Sequence, residues 1–340
     1  MRRSLIAVVL LVFALPLFGE ISDRAMTLAP NGTLYSVESR ANDGTGDSVN
    51  LSSRYLTLTI QKGENIIKTD VPATMTGGKH WQPEIAFDAD SDTALVFWLH
   101  SADTAAATSE LEFCTFQNGR WNDPALVDDS PNHIRYNLRL GVTQKVEMMA
   151  DDGSSTSVDG LTVHAVWWDV TAAGEVARYA MIVVEHGVVT SIVRRDLVDL
   201  VNRAFLKYAD IDPAYVELLR HPIVYESTEH ETVDVVFGDL NMNLLHRLTL
   251  KPISQSRVRI PIGIREASYP APQHAMSSTA VRLSAINTSP ERLAIYYVEA
   301  GDVRYLRYES GTWTDNSVAL NKDVSAEAAV AALRKLVSGD

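Results

Sequence analysis

Apolar positions along most of this chain fall in short runs rich in β-branched and aromatic residues, and each run ends in a cluster of Asp, Asn, Ser or Gly. The clearest group starts at Pro83-Glu84-Ile85-Ala86-Phe87-Asp88, turns through Ala89 to Asp92, and continues as Thr93 to His100. It then passes a polar loop into Leu111 to Phe116, turns at Gln117-Asn118-Gly119 and closes with Arg120 to Pro124. The same order recurs near the C-terminus: Ala280 to Ile286, Leu293 to Glu299, Val303 to Tyr308, a turn at Ser310-Gly311, then Thr312 to Asp315. Trp121 and Trp313 stand at matching places, each two residues after a glycine. Weaker copies lie at Leu34–Glu38 with Tyr55–Ile60, at Leu161–Asp169 with Ala177–Val184, and at Ile223–Glu226 with Val233–Asp239 and Leu244–Leu250.

Four-strand sheets of this kind cannot cover both of their faces alone, so they must stack. Leu95 to Trp98 and Val233 to Phe237 are almost continuously apolar, as expected of strands covered on both sides. The pattern therefore predicts an all-β chain, a β-propeller of about five four-stranded blades. Two segments depart from it. Residues 196–220 place Leu197, Leu200, Val201, Ala204, Phe205 and Tyr208 at helical spacing, which predicts a helical insertion. Ser325 is a fitting N-cap for a short C-terminal helix whose Val330, Leu333 and Leu336 share one stripe.

The turns Asn118-Gly119-Arg120-Trp121 and Ser310-Gly311-Thr312-Trp313 resemble those of the sialidase-like propeller superfamily, whose blades carry an Asp-box turn ending in glycine and an aromatic residue. The family's fuller turn has a Ser and an Asp ahead of the glycine; here Tyr308-Glu309 precede Ser310, and neither copy has the Asp. The resemblance bears on the fold, and fold alone does not carry function.

The first residues add a compartment. Met1-Arg2-Arg3-Ser4 is followed by an uncharged stretch from Leu5 to Gly19, a basic region and an apolar core that read as an export signal over residues 1–19. At about 15 residues the stretch is shorter than the roughly 20 that span a bilayer, which argues against an integral anchor after cleavage. The expected product is secreted or periplasmic, with the propeller over 20–322 and the helix and tail over 323–340. Cys114 is the single cysteine, so stability rests on the core rather than on disulfides. The full chain carries a formal charge of −13, and loss of Arg2 and Arg3 makes it −15, which disfavours nucleic acid as a partner.

In a propeller, loops that enter each first strand and leave each second strand gather at one end. Histidines hold the entry position in four units: His80, His133, His221 and His274. Glu38, His100, Asp169, Asp239 and Glu299 hold the exit position. Imidazoles beside carboxylates suit a divalent metal or acid–base work, and His80 with His221 is the expected metal pair. Trp81, beside Gly77-Gly78-Lys79-His80, offers an indole platform for a sugar ring. The expected ligand site is thus His80, Trp81, Glu84, His100, Asp169, Asp239 and Glu299.

Three functions fit these residues. The leading expectation is a non-enzymatic recognition module for a glycan or protein ligand. The first alternative is a glycoside hydrolase or lyase that uses two of Glu84, Asp169, Asp239 and Glu299, since glycosidases need a pair of carboxyl groups. The second is a structural subunit of a cell-envelope assembly. A serine or thiol nucleophile has no support: Gly-x-Ser-x-Gly is missing, and Cys114 has apolar neighbours.

Overall fold

A computed structural model describes residues 24–41, 54–76, 78–102, 108–131, 133–149, 154–171, 174–197, 223–226, 231–239, 244–254, 262–270, 281–289, 292–299 and 302–317. These are almost entirely strand, apart from turns and one 3₁₀ turn over Pro72–Thr76. The all-β expectation is met. Of the helical insertion expected over 196–220, residues 198–220 lie outside the described residues, as does the C-terminal helix and tail expected over 323–340; Asp196, read as the start of the insertion, instead ends a strand whose ladder pairs it with Arg178.

Antiparallel meanders follow one another along the chain. The first is β1 (Arg24–Leu28), β2 (Leu34–Ala41), β3 (Arg54–Lys62) and β4 (Asn65–Asp70). The second is β5 (Lys79–Asp88), β6 (Thr93–Ser101), β7 (Glu110–Gln117) and β8 (Arg120–Trp121), with β9 (Ala125–Asp128) also paired to β7. The third is β10 (Ile134–Met149), β11 (Ser155–Thr171), β12 (Gly174–Glu185) and β13 (Val188–Asp196). The fourth, β14 (Ile223–Glu226), β15 (Val233–Asp239), β16 (Leu244–Ser254) and β17 (Ile262–Pro270), joins the third through a short parallel contact between β10 and β16. The last is β18 (Val281–Ser289), β19 (Arg292–Glu299), β20 (Asp302–Glu309) and β21 (Thr312–Ser317). The first strands touch in order, β1 on β5, β5 on β10, β10 on β14 and β14 on β18.

The continuous apolar runs are explained by burial on alternate faces. In β6, Ala94, Val96 and Trp98 pack with Tyr35, Val37, Leu56 and Leu58 of the first sheet. Their neighbours Leu95, Phe97 and Leu99 pack the other way, with Leu138, Val163, Ala165 and Trp167 of the third. Strand β11 repeats the arrangement, sending Val166 and Trp168 toward Val233, Val235 and Phe237 of the fourth sheet. Each such side chain contributes about 1.5–3 kcal/mol through burial, and period-2 alternation is what lets one strand supply two cores.

The glycine turns also have a common geometry. Asn118-Gly119, His186-Gly187 and Ser310-Gly311 all place both central residues at positive φ, between 51° and 88°, in two-residue hairpins whose twist matches the strands. Beside two of them the same aromatic pair recurs across the ladder, Phe116 on Trp121 at 4.9 Å and Tyr308 on Trp313 at 5.2 Å, both at 57°.

Sheet packing is closest at Gly141 of β10, where an added Cβ would lie 2.6 Å from Val224 Cγ1 and 3.1 Å from Val233 Cγ1. Gly141→Ala is expected to cost about 1–3 kcal/mol by forcing the third and fourth sheets apart. Urea denaturation would check this, and an unchanged midpoint would contradict the close approach.

Candidate functional site

Strand β5 carries an extra residue between Trp81 and Glu84, opposite Leu99 and Phe97, and β10 carries one between Tyr136 and Arg139, opposite Trp168 and Val166. A third irregularity falls between Val281 and Ser284 of β18. Gln82 and Asn137 sit inside the first two bulges with φ of 48° and 56°, conformations uncommon outside glycine. Bulges re-aim side chains and gather near functional sites. Here they are tied together: Leu138 N donates to Gln82 Oε1 at 3.3 Å, and Arg139 Nη1 donates to Glu84 Oε1 at 3.3 Å.

On the second sheet, His80 and His100 are cross-strand partners with rings stacked at 4.5 Å and an interplanar angle of 4°. His80 is buried, and its carbonyl accepts a 2.6 Å bond from Ser39 Oγ, which in turn accepts from Arg54 Nε at 2.9 Å. His100 Nδ1 lies 3.2 Å from Glu112 Oε1 and 3.7 Å from Glu110 Oε2. The hydrogen bond to Glu112 raises the His100 pKa against the opposing effect of burial, with the charges of Glu112 and Glu110 adding to the rise. Trp81 is half-buried against the core shared with the third sheet, with Lys79 Nζ 5.3 Å above its ring.

On the third sheet, the fully buried Asp169 accepts at Oδ2 from Arg178 Nε at 3.1 Å and lies 2.8 Å from His133 Nδ1. Its Oδ1 is buried with no hydrogen-bond partner among the described residues. Arg178 also pairs with Asp196. Nearby, the buried Arg135 donates from Nε and Nη2 to Asp128 Oδ2 at 3.0 and 2.9 Å. Burial pushes the Asp128 pKa up, but the Ser130 hydroxyl and the Arg135 guanidinium outweigh it and hold the carboxyl below its ordinary value. A cavity of about 150 Å³ opens beside these residues, lined by Asp128, Ser130, Trp167, Arg178, Arg194 and Asp196 among others. Ser109 links the two clusters, donating from N to the His133 carbonyl at 2.8 Å and from Oγ accepting Arg135 N at 2.7 Å.

The structure thus brings His80, Glu84, His100 and Asp169 to one end of the second and third sheets. Asp239 and Glu299 end β15 and β19, the corresponding second strands. His221 lies outside the described residues. Sequence reasoning missed Glu110, Glu112, Ser109, Asp128 and Arg178. For the first two a signal existed: spacing by two residues on one strand places both on the face that carries His100.

No family model and no curated protein matches the chain. Among solved structures it is similar to the GH93 α-L-arabinofuranosidase of Fusarium graminearum with arabinobiose, at 11% identity and a TM-score of 0.40 over 81% of this chain and 71% of that one. It is similar to the Penicillium chrysogenum α-L-arabinanase complexed with arabinobiose, at 11% identity and 0.41 over 86% and 76%. A GH43_1 enzyme from Xanthomonas citri aligns at 11% identity and 0.36 over 89% and 93%. These similarities transfer no residue roles. The leading expectation from the sequence, a non-enzymatic recognition module, is corrected on this finding: the solved structures named above are of an arabinofuranosidase, an arabinanase and a GH43_1 enzyme.

Proposed function

We propose that the chain is an exported glycoside hydrolase, a five-bladed propeller that cleaves its glycan at the end where Glu84 and Asp169 lie. The ordered contacts of the first strands support a fan of blades about one axis, and the apolar leader over 1–19 supports export. The observation that carries the enzymatic reading is Asp169. Its Oδ2 is fixed by His133 and Arg178, while its buried Oδ1 has no donor among the described residues. Leaving such an atom unsatisfied costs about 1–3 kcal/mol, and a sugar hydroxyl is a donor that would remove the cost.

Glycoside cleavage needs one carboxyl group to protonate the departing oxygen and a second to act as nucleophile or to activate water. Glu84 is the companion carboxyl group of Asp169, carried by the neighbouring bulged strand and oriented by Arg139. Asp169→Asn and Glu84→Gln are each expected to lower sugar release about 100-fold or more, with the circular dichroism spectrum unchanged. The assay is reducing-sugar release by the purified chain from a panel of polysaccharides and aryl glycosides. If the parent protein hydrolyses none of them, or both variants keep full turnover, the reading fails.

A further inference from the structure

We infer that His100, Glu110 and Glu112 form a binding site for a divalent transition-metal ion, one that shares no residue with the Glu84 and Asp169 pair. One ligand atom from each of the three lies within 4.8 Å of the others, and His100 Nδ1 is 3.2 and 3.7 Å from the two carboxylates. Nitrogen and oxygen donors bound at about 2.0–2.2 Å from a common metal stand about 3–4 Å apart, so the triad needs little movement to close on an ion.

The scaffold prepares these donors. Glu110 is the cross-strand partner of His100 and Glu112 that of Trp98, so all three project from one face of the β6–β7 ladder. The stacked His80 ring fixes the plane of His100. Gly78 approaches from the far side of the imidazole, where even a Cβ would come within 3.1 Å of His100 Nε2. Nδ1 is therefore the nitrogen turned to the carboxylates.

Two further observations point to a ligand. Among the described residues no lysine or arginine pairs with Glu110 or Glu112, so their two negative charges face only His100. Trp98, fully buried and directly across from Glu112, has an indole N–H with no partner among the described residues. A water or hydroxide held by a metal at the triad is an acceptor of the kind that donor needs. Glu110 is about half exposed and gives the ion a path from solvent. One imidazole with two carboxylates suits Zn²⁺ or Mn²⁺ rather than an all-oxygen calcium cage.

The test is isothermal titration of the chelator-treated full chain with Zn²⁺ and, separately, Mn²⁺. We expect one saturable equivalent, weakened about 10-fold or more in His100→Gln and Glu112→Gln. Glu110→Gln, at a half-exposed position where folding is not at risk, should weaken it in the same direction. Glu84→Gln should bind as the parent chain does, which keeps this result independent of the hydrolase assignment. Absence of saturable binding, or binding unchanged in all three site variants, overturns the inference.

Discussion

Lowering the pH from 7 to 4 will destabilise the folded protein by about 3 kcal/mol through His164 alone. His164 is fully buried on β11, on the face that carries Val166 and Trp168 into the core with the fourth sheet. Its Nδ1 lies 2.8 Å from Tyr179 Oη and its Nε2 lies 3.1 Å from Thr143 Oγ1. A neutral imidazole satisfies both, donating at one nitrogen and accepting at the other. A protonated ring would carry a charge into a fully buried site whose two partners are neutral hydroxyls, and burial drops its pKa to about 3.

The unfolded chain, with an ordinary histidine near 6.5, then binds a proton that the folded chain refuses. Stability is full above pH 6.5 and falls as the pH drops from there toward 3. Urea denaturation at pH 7, 5 and 4 would measure it, with His164→Asn as the control. The variant should lose about 3 kcal/mol less than the parent over that interval. Equal pH dependence in both proteins would rule out His164 as the sensor. Asp128, whose carboxyl is also held below its ordinary value, adds an acid loss of the same sign, present in parent and variant alike.

The second large effect is expected at Asp128. Its partner Arg135 is completely buried, and Asp128 itself is nearly so. Asp128→Asn preserves shape but removes the charge that balances Arg135, and breaking a buried pair from one side costs about 3–5 kcal/mol. Replacing both residues, Asp128→Leu with Arg135→Met, should recover most of that loss, because no charge is then left inside. Chemical denaturation of the single and double variants reads both quantities. A loss below about 1 kcal/mol in the single variant would mean the pair is solvated in solution.

Much of the site could not be read in advance. A histidine at the entry of four units and a histidine or acid at each second-strand exit follow from sequence order once a meander is assumed, and this is how His80, His100 and Asp169 were picked out. Their surroundings did not follow. His80 was expected at an open mouth beside Trp81, but cross-strand stacking on His100 buries it. The bulges at Gln82 and Asn137 break the two-residue alternation, and no local composition marks them. Strands β1, β13 and β17 were also missed, since their polar and apolar residues mix.

By itself the sequence determined the alternation of short strands with glycine turns, and hence an all-β chain whose second strands are covered on both faces. Those are local properties: side-chain period, turn chemistry and apolar content act within a few residues. Only the tertiary structure decided which charges meet. Ser39 reaches the His80 carbonyl across 41 residues and Arg139 reaches Glu84 across 55, contacts set by how one sheet's first strand leans on the next. Electrostatic pairing acts through space, at distances that chain order does not encode, so the partners of Glu84 and of the His80 carbonyl became visible only when the sheets were stacked.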